Sequence, residues 1–259
     1  MNFIISNCKY SYFVLFLLFL ILVFPNLACQ RKGNCDVFDS TKLISLDDLY
    51  SKKSYHFLDE ALIEPDSVYK LILFGINLGS LPEEISCLKY LNTLEASNCN
   101  LDTLPNYLDE MLYLQGLYLS GNEFAEIPDV VYHIPNLRRI RFDDNKFKTI
   151  PENLLTMKSV EELYFGENEI SQIPEQLFDM EKVRIIELGN NEISELKPDV
   201  SKLKNLEVLV LKNNQLNDIP FEELLSLKNL RFLNLKGNKI PYQLLDSLRK
   251  SMPNTKLDY

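Results

Sequence analysis

The sequence predicts an α/β solenoid with a parallel sheet on one side and short helices on the other. Seven segments begin with the same apolar signature at a step of 23 residues, and an eighth follows after 24; they start at Val68, Leu91, Leu114, Leu137, Val160, Val183, Leu206 and Leu230. Each segment repeats its apolar residues at positions 1, 4, 6 and 11. A fixed step of this length is the signature of a solenoid, in which each unit packs only on its neighbours.

The third repeat shows the full pattern at positions 1, 4, 6, 9, 11 and 14: Leu114, Leu117, Leu119, Asn122, Phe124 and Ile127. The form L-x-x-L-x-L-x-x-N-x-L resembles the leucine-rich repeat family. Leu-Pro-Glu-Glu-Ile in the first repeat resembles the 23-residue LPxxI-type repeats of bacterial leucine-rich repeat lipoproteins. The resemblance implies a curved horseshoe over residues 68–259, with about eight repeats, a C-terminal cap, the sheet on the concave side and the helices on the convex side.

Residues 1–28 predict a secretory signal peptide. They carry one charge, Lys9, and an unbroken apolar run of 12 residues over 13–24. The alternative is an uncleaved membrane anchor from about Tyr10 to Leu27, although a spanning helix needs about 20 apolar residues.

Cys29 follows Leu27 and Ala28, and this junction resembles the lipobox of bacterial lipoproteins, with Asn26 in the place that leucine usually takes. The resemblance implies lipidation of Cys29, with residues 29–44 as a tether. The alternative is cleavage near Ala28 by ordinary signal peptidase, which would leave a plain thiol. Lipidation predicts an outer-membrane or cell-surface lipoprotein of the cell envelope, and ordinary cleavage predicts a secreted or periplasmic protein.

Residues 45–67 are predicted to form an N-terminal helical cap. Tyr55, Leu58 and Leu62 stand at helical spacing, and Pro65 would end the helix. A solenoid needs such a cover because its first repeat otherwise exposes an apolar edge.

Each repeat is predicted to contribute one strand and one inward turn. Leu117-Tyr118-Leu119 alternates apolar and variable residues, which is the period of a strand with one buried face. An asparagine at position 9 can satisfy backbone groups in neighbouring turns. This asparagine ladder consists of Asn122, Asn145, Asn168, Asn191, Asn214 and Asn238, and Cys99 takes the same place in the second repeat.

Leu-Pro or Ile-Pro after the ladder predicts a short convex helix with proline at its first position. Lys197-Pro198 in the sixth repeat and the extra residue at 220–224 in the seventh predict local changes of helix start. Residues 242–252 predict a last helix, and residues 256–259 a final strand.

Composition and motifs argue against several classes of function, namely nucleic-acid binding, metal binding and catalysis. The net charge of −10 disfavours nucleic acid, because an acidic surface repels phosphate backbones. The two histidines, His56 and His133, are too few for a histidine-based metal site or triad, and no nucleotide-binding or zinc motif occurs. Asp143-Asp144-Asn145 offers oxygen donors for calcium, but Asn145 belongs to the ladder. We therefore expect no catalytic residues, cofactor, metal or small-molecule substrate.

The variable strand positions 3, 5 and 7 share one face, the predicted concave face. Tyr118, Arg141 and Tyr164 follow one another at position 5, which places an arginine between two residues of a type enriched at interface hot spots. Ile185 belongs to an apolar patch nearer the C-terminus. The predicted protein-binding residues are Tyr118, Arg139, Arg141, Glu162, Tyr164, Glu187, Val208, Val210 and Phe232.

These observations predict a non-enzymatic protein-binding module, held at a membrane through Cys29, that engages a protein or peptide ligand through its concave face. The alternative is a structural envelope scaffold or spacer without a specific ligand. In that case, cross-strand pairs such as Arg139 with Glu162 only keep the sheet soluble, each contributing about 0.2 to 1 kcal/mol.

Overall fold

One parallel sheet, in which the strands lie side by side in chain order, is the main element of the structure. This computed structural model describes residues 38–259, without the side chains of residues 46, 47 and 198. Over that range ten strands form one sheet: β1 (Ser54–Tyr55), β2 (Lys70–Phe74), β3 (Thr93–Ser97), β4 (Gly116–Tyr118), β5 (Arg139–Arg141), β6 (Glu162–Tyr164), β7 (Ile185–Glu187), β8 (Val208–Val210), β9 (Phe232–Asn234) and β10 (Lys256–Asp258). The predicted solenoid is confirmed.

The signal peptide predicted for residues 1–28 and the lipidation predicted at Cys29 lie outside the described residues. Within residues 38–259, no helix combines the length and the apolar character that crossing a membrane requires.

The 23-residue step sets the register of the sheet. Leu117 pairs with Leu94 on one side and with Ile140 on the other, so that equivalent positions lie in rows across the strands. Residues at positions 4 and 6 point inward, and Leu117 and Ile140 have no exposed surface. The core is therefore a row of stacked layers, each shared by adjacent repeats.

Phenylalanine fills the core of repeats 3 to 5. The ring of Phe142 lies 5.3 Å from Phe124, 5.1 Å from Phe147 and 5.7 Å from Phe165, measured between centroids, and all four side chains are buried. Such edge-to-face and stacked pairs add to the stabilisation from burial. They lie directly beneath the strands that carry the candidate site.

The asparagine ladder forms as predicted. Asn122 Oδ1 accepts hydrogen bonds from the backbone N–H groups of Cys99 and Leu101, each at 3.0 Å, and Asn122 Nδ2 donates to Ala96 O and Leu119 O. Each later asparagine of the ladder likewise accepts from a backbone N–H of the preceding repeat. The amides thus satisfy buried backbone groups that no strand pairs.

The residue before each ladder position has a left-handed backbone. Its φ is positive in all eight repeats: Gly75, Asn98, Gly121, Asp144, Glu167, Asn190, Asn213 and Gly237. Glycine, asparagine and aspartate tolerate this conformation, whereas Glu167, at φ 54°, does so at a cost. The left-handed residue turns the chain so that the asparagine can face inward.

The convex segments are tighter than predicted. In repeats 1 to 6 they are 3-10 helices of five residues: Glu83–Cys87, Asn106–Glu110, Asp129–His133, Glu152–Thr156, Glu175–Asp179 and Pro198–Lys202. The proline usually precedes the helix as an extended cap residue, as Pro82 does, and only Pro198 occupies the first helical position. Because the sixth helix keeps the same place in its repeat, the predicted change of helix start there is wrong.

In repeat 7 the convex segment is an α-helix, α3 (Phe221–Leu225). This α-helix has five residues, as the 3-10 helices have, so the extra residue of the repeat lies between the helix and Leu230. The helix start again keeps its place after Pro220.

The N-terminal cap is only partly helical. It contains α1 (Leu46–Ser51), α2 (Leu58–Ala61) and a 3-10 helix, Pro65–Ser67. The prediction of one helical face from Tyr55 to Leu62 is wrong, because the backbone of Tyr55 pairs with Leu71 at the edge of the sheet. At the C-terminal end, α4 (Tyr242–Ser251) and β10 lie where the sequence places them.

The predicted tether is too long at its C-terminal end. Residues 39–44 include a 3-10 helix, Ser40–Lys42, and lie against repeats 2 and 3, where the backbone N–H of Ile44 donates to Asn92 Oδ1 at 3.2 Å and its carbonyl accepts from Gln115 Nε2 at 2.6 Å. Buried amide side chains in the repeats hold this segment, a feature that its own sequence does not reveal.

Candidate protein-binding face

Outward-pointing residues of strands β2 to β9 line the concave face, defined here as positions 3, 5 and 7 of the repeats. The predicted residues divide into two groups. Five of them lie together on β4 to β6: Tyr118, Arg139, Arg141, Glu162 and Tyr164. The other four follow on β7 to β9: Glu187, Val208, Val210 and Phe232.

Arg141 lies between two tyrosines, as its place in the repeat predicts. Its Cζ is 4.2 Å from the ring centre of Tyr164 and 5.6 Å from that of Tyr118. The strand register brings them together, because Tyr118 pairs with Arg141 and Arg141 with Tyr164. A guanidinium held between aromatic rings presents a flat surface that is both cationic and apolar.

Arg139 pairs with a buried carboxylate. Its Nε lies 3.0 Å from Glu162 Oε1, and Glu162 is only 6% exposed. Tyr164 Oη donates a hydrogen bond of 3.0 Å to the other oxygen of Glu162. Burial, and then the charge of Glu162, raise the pKa of Tyr164 above its ordinary value, which keeps the phenol protonated as a donor. The predicted cross-strand pair of Arg139 with Glu162 is thus part of a small network.

The Nε atoms of both arginines are buried close to carboxylates. Among the described residues, Nε of Arg139 and Nε of Arg141 are buried and have no hydrogen-bond partner of suitable geometry. Arg141 Nε also lies 3.5 Å from Asp143 Oδ2, at ion-pair distance but without hydrogen-bond alignment. Because each buried Nε lies at ion-pair distance from a carboxylate, the charge of that carboxylate offsets part of the cost of the poor hydrogen-bond geometry.

Gly116 leaves room for Tyr118. A Cβ atom at Gly116 would lie 3.2 Å from Tyr118 Oη, so the phenol ring lies back over the start of its own strand. This orientation is available because position 3 of the third repeat has no side chain.

Helix α1 stands beside this cluster, an arrangement that the sequence does not predict. Leu49, 5% exposed, and Tyr50, 73% exposed, form one wall of a cleft of about 430 Å³. The opposite wall is the concave face of β2 to β6, where Ile72 and Phe74 lie near one end and Arg141 near the other. A cleft of this size is in the range of about 300–1,000 Å³ that is typical of ligand sites.

Two carboxylates meet on the concave face next to the cluster. Asp143 Oδ1 accepts a hydrogen bond of 2.8 Å from Gly166 N, and Glu187 Oε1 accepts one of 3.2 Å from Gly189 N. A Cβ atom at Gly166 would clash with Glu187 and lie 3.3 Å from Asp143, so both carboxylates converge over this glycine. Burial first, and then the charge of Asp143, raise the pKa of Glu187 to about 7. Burial likewise raises the pKa of Asp143.

The second group of predicted residues is less exposed than expected. Val210 is only 9% exposed, and Ile185, Val208 and Phe232 are half-buried. Lys256 Nζ lies 5.0 Å from the ring centre of Phe232, so the last strand partly covers it. The predicted apolar patch exists, but it offers little free surface because neighbouring strands shield β-branched side chains.

Sequence reasoning missed a charge ladder along position 2 of the repeats. It begins after the uncharged amides Asn92 and Gln115 and consists of Arg138, Glu161, Arg184, Glu207 and Arg231. Arg138 bonds Glu161 at 2.6 Å and Arg184 bonds Glu207 at 2.8 Å. A hydrogen bond from Arg184 holds the pKa of Glu207 below its usual range. Reading position 2 down the repeats would have revealed this alternation.

The remaining polar candidates have structural roles. Cys99 is fully buried, its Sγ donates to Leu73 O at 3.2 Å, and burial raises the pKa of its thiol. Asn145 Oδ1, a donor considered for calcium, accepts from Phe124 N at 3.0 Å. Over residues 38–259, no group of three or more His, Cys, Asp or Glu side chains could hold a metal ion.

The Leucine rich repeat family model matches residues 135–193 and 181–240. Among solved structures, the chain is similar to a leucine-rich repeat protein of Leptospira interrogans, with 26% identity and a TM-score of 0.58 over 73% of this chain and 52% of that one. It is also similar to the plant peptide hormone receptor RGFR1 in complex with RGF2, with 26% identity and a TM-score of 0.57 over 74% of this chain and 32% of that one.

Internalin C2 from Listeria monocytogenes has the same fold, with 23% identity and a TM-score of 0.56 over 66% of this chain and 72% of that one. No protein of curated function matches the sequence at a significant level. The chain spans about half the length of the Leptospira protein and about a third of the plant receptor. The family match, the shared fold and the stacked parallel strands together support a leucine-rich repeat protein.

Proposed function

We propose that this chain is a non-enzymatic protein-binding module that engages a protein or peptide ligand through its concave face. The observation that carries the proposal is the arrangement of Arg141 between Tyr118 and Tyr164 in an open cleft. Tyrosine and arginine are enriched among residues that dominate binding energy, because they combine large contact area with polar groups.

The chemistry of the cleft favours a polypeptide. It combines apolar side chains, Leu49, Ile72 and Phe74, with the cationic side chains of Arg139 and Arg141. A peptide supplies both complementary features, since its side chains fill apolar space and its carbonyl groups accept hydrogen bonds. The plant receptor of similar fold is in complex with RGF2, which supports the same use of the fold here.

A selection from a random linear peptide library tests the proposal. We expect the purified chain to enrich peptides whose binding is saturable by fluorescence polarisation. Replacing Tyr118, Arg141 and Tyr164 together by Ala should raise Kd at least about tenfold, as expected for loss of hot-spot residues. The circular dichroism spectrum and Tm should show that the variant is folded.

A matched control removes a tyrosine and an arginine from the opposite end of the chain. Tyr242 is 64% exposed on α4, and Arg249 lies on the same helix, so Tyr242→Ala with Arg249→Ala should leave Kd unchanged. Equal affinity of the wild type and the concave-face variant would show that this face is not the site. Failure to enrich any peptide would favour the alternative, a structural envelope scaffold or spacer.

We propose further that a lipid on Cys29 tethers the module to the membrane of a bacterial cell envelope. The support is the sequence around Ala28 and Cys29 and the apolar run before it. Mass spectrometry of the protein from its native membrane should find an acylated N-terminal peptide that begins at Cys29, and Cys29→Ala should release the protein from the membrane. A free thiol at Cys29 would contradict lipidation.

A further inference from the structure

The segment 39–51, called here the N-terminal strap, is held on the repeats by two buried amides. Asn92 Nδ2 donates to Lys42 O at 3.3 Å, and Asn92 Oδ1 accepts from Ile44 N at 3.2 Å. Gln115 Nε2 donates to Ile44 O at 2.6 Å and to Asn92 Oδ1 at 2.8 Å. The strap therefore docks through its backbone, whose hydrogen-bonding groups meet both amides.

These amides are specific to the place where the strap docks. Asn92 and Gln115 are 0% and 1% exposed, whereas the same position in the following repeats carries the charged residues Arg138, Glu161 and Arg184. A buried amide without partners costs free energy, so the two side chains stabilise the docked strap over the free one.

The docked strap also places residues at the cleft. Its helix α1 carries Leu49 and Tyr50 into the cleft wall opposite the concave face. The Tyr50 ring centre lies 5.9 Å from Cζ of Arg139, although Tyr50 itself remains 73% exposed. A large, exposed aromatic side chain held beside a cleft is a typical ligand contact.

We propose that the strap is part of the ligand site, and that Tyr50 contacts the ligand from the side opposite the sheet. This inference rests on the proposed function and specifies the ligand. The ligand is an extended peptide that crosses β2 to β6 beside α1, with a bulky apolar side chain against Ile72 and Phe74 and its carbonyl groups toward Arg139 and Arg141.

The dimensions agree with such a ligand. Strands β2 to β6 are four steps apart, about 19 Å at the usual strand spacing, which an extended chain of about six residues spans. A cleft of about 430 Å³ accommodates a few side chains and not a folded domain. The apolar end of the cleft, at Ile72 and Phe74, belongs to repeat 1. The apolar side chain of the peptide must therefore lie at the repeat 1 end of the cleft.

Two variants of the full-length chain test the inference, with the library-selected peptides as probes. Tyr50→Ala removes an exposed ring and should raise Kd about tenfold or more. The double variant Asn92→Ala with Gln115→Ala should raise Kd similarly because it releases the strap. Hydrogen exchange should then show loss of protection over residues 39–51, including the Ile44 amide, with repeats 3 to 8 still protected. Tyr242→Ala, which removes a similarly exposed tyrosine far from the cleft, should leave Kd unchanged.

The outcomes separate the two proposals. If Arg141→Ala weakens binding but Tyr50→Ala and the double variant bind as the wild type does, the strap has no part in the site and the concave-face function stands. Tighter binding by the double variant would make the strap a competitor of the ligand and overturn the inference. If no peptide is enriched on the wild type, both proposals fail together.

Discussion

Glu187 and Asp143 show how one glycine can change the chemistry of a carboxylate. Both side chains converge over Gly166, where the acidic pair is partly withdrawn from water. The neighbouring charges have opposite effects on the two pKa values. Arg141 lowers the pKa of Asp143 and Lys212 lowers the pKa of Glu187, whereas Glu167 raises both pKa values. Burial and the charge of Asp143 prevail, and the pKa of Glu187 rises to about 7.

This shift predicts a pH dependence of stability. Between pH 4.5, the ordinary value, and about pH 7, folded Glu187 holds a proton that the unfolded chain has lost, so the free energy of unfolding falls as pH rises through this window. Glu187→Gln stays neutral and should be about 1 to 3 kcal/mol more stable than the wild type at pH 8, with little difference at pH 4.

Urea unfolding at pH 4, 6 and 8 measures this difference. The exposed Glu192 lies five residues away in the same repeat, and Glu192→Gln should follow the wild type at every pH. A gain for Glu187→Gln that does not change with pH would show that the carboxylate has an ordinary pKa.

Glu167 is the one long side chain among the eight left-handed residues. Glu167→Asn should raise the free energy of unfolding by about 0.5 to 1 kcal/mol, because asparagine tolerates positive φ better. Glu167→Gln is the matched control, since it removes the same charge but keeps the unfavourable backbone. Equal stability of the two variants in urea unfolding would attribute any gain to charge alone.

At the scale of elements, the asparagine turn connects each strand to the next repeat. Asn168 joins repeats 4 and 5, because it accepts from Phe147 N at 3.0 Å and donates to Phe142 O and Phe165 O. Asn168→Ala should cost roughly 2 to 4 kcal/mol, since several buried backbone groups lose their partner.

The exposed Asn153 on a convex 3-10 helix provides the comparison, and Asn153→Ala should change stability by less than about 0.5 kcal/mol. Chemical unfolding of both variants measures the two values. A cost for Asn168→Ala as small as that for Asn153→Ala would contradict a stabilising role for the ladder.

Strands and turns were predictable because their pattern repeats with a strict period. Leu117 and Asn122 take the places that their positions in the repeat predict. The convex side was harder, because proline is compatible with the first position of a helix and with the cap before it, and only backbone geometry distinguishes Pro82 from Pro198. Tyr55 was misassigned for a related reason: apolar spacing does not show that a free sheet edge will pair with the backbone.

At the scale of the whole molecule, the apolar edge of the last repeat must be covered at the C-terminal end. Strand β10 pairs with β9, and Leu248 of α4 is fully buried on the last repeat. Removing residues 256–259 should expose only the edge of β9 and lower Tm slightly. Removing residues 241–259 should also expose apolar core, lower Tm strongly and cause self-association.

Size-exclusion chromatography and thermal unfolding by circular dichroism measure both truncations. A monomeric chain with unchanged Tm after removal of residues 241–259 would show that α4 and β10 are dispensable.

The candidate site was predictable only in part, for a reason that lies at this scale. The repeat period places Tyr118, Arg141 and Tyr164 in one row, and they do meet. The cleft, however, depends on α1, which precedes the repeats and reaches them through Asn92 and Gln115. Contacts between non-repeating and repeating segments have no period, so a repeat pattern does not predict them.

The alternating charges at position 2 restrict how such a chain can change in length. Arg138, Glu161, Arg184, Glu207 and Arg231 recur with a period of two repeats, and not of one. Duplicating or losing a single internal repeat would bring two arginines or two glutamates side by side, whereas a change by two repeats would keep every neighbour opposite in charge. Along this edge, the unit of growth is therefore a pair of repeats, about 46 residues.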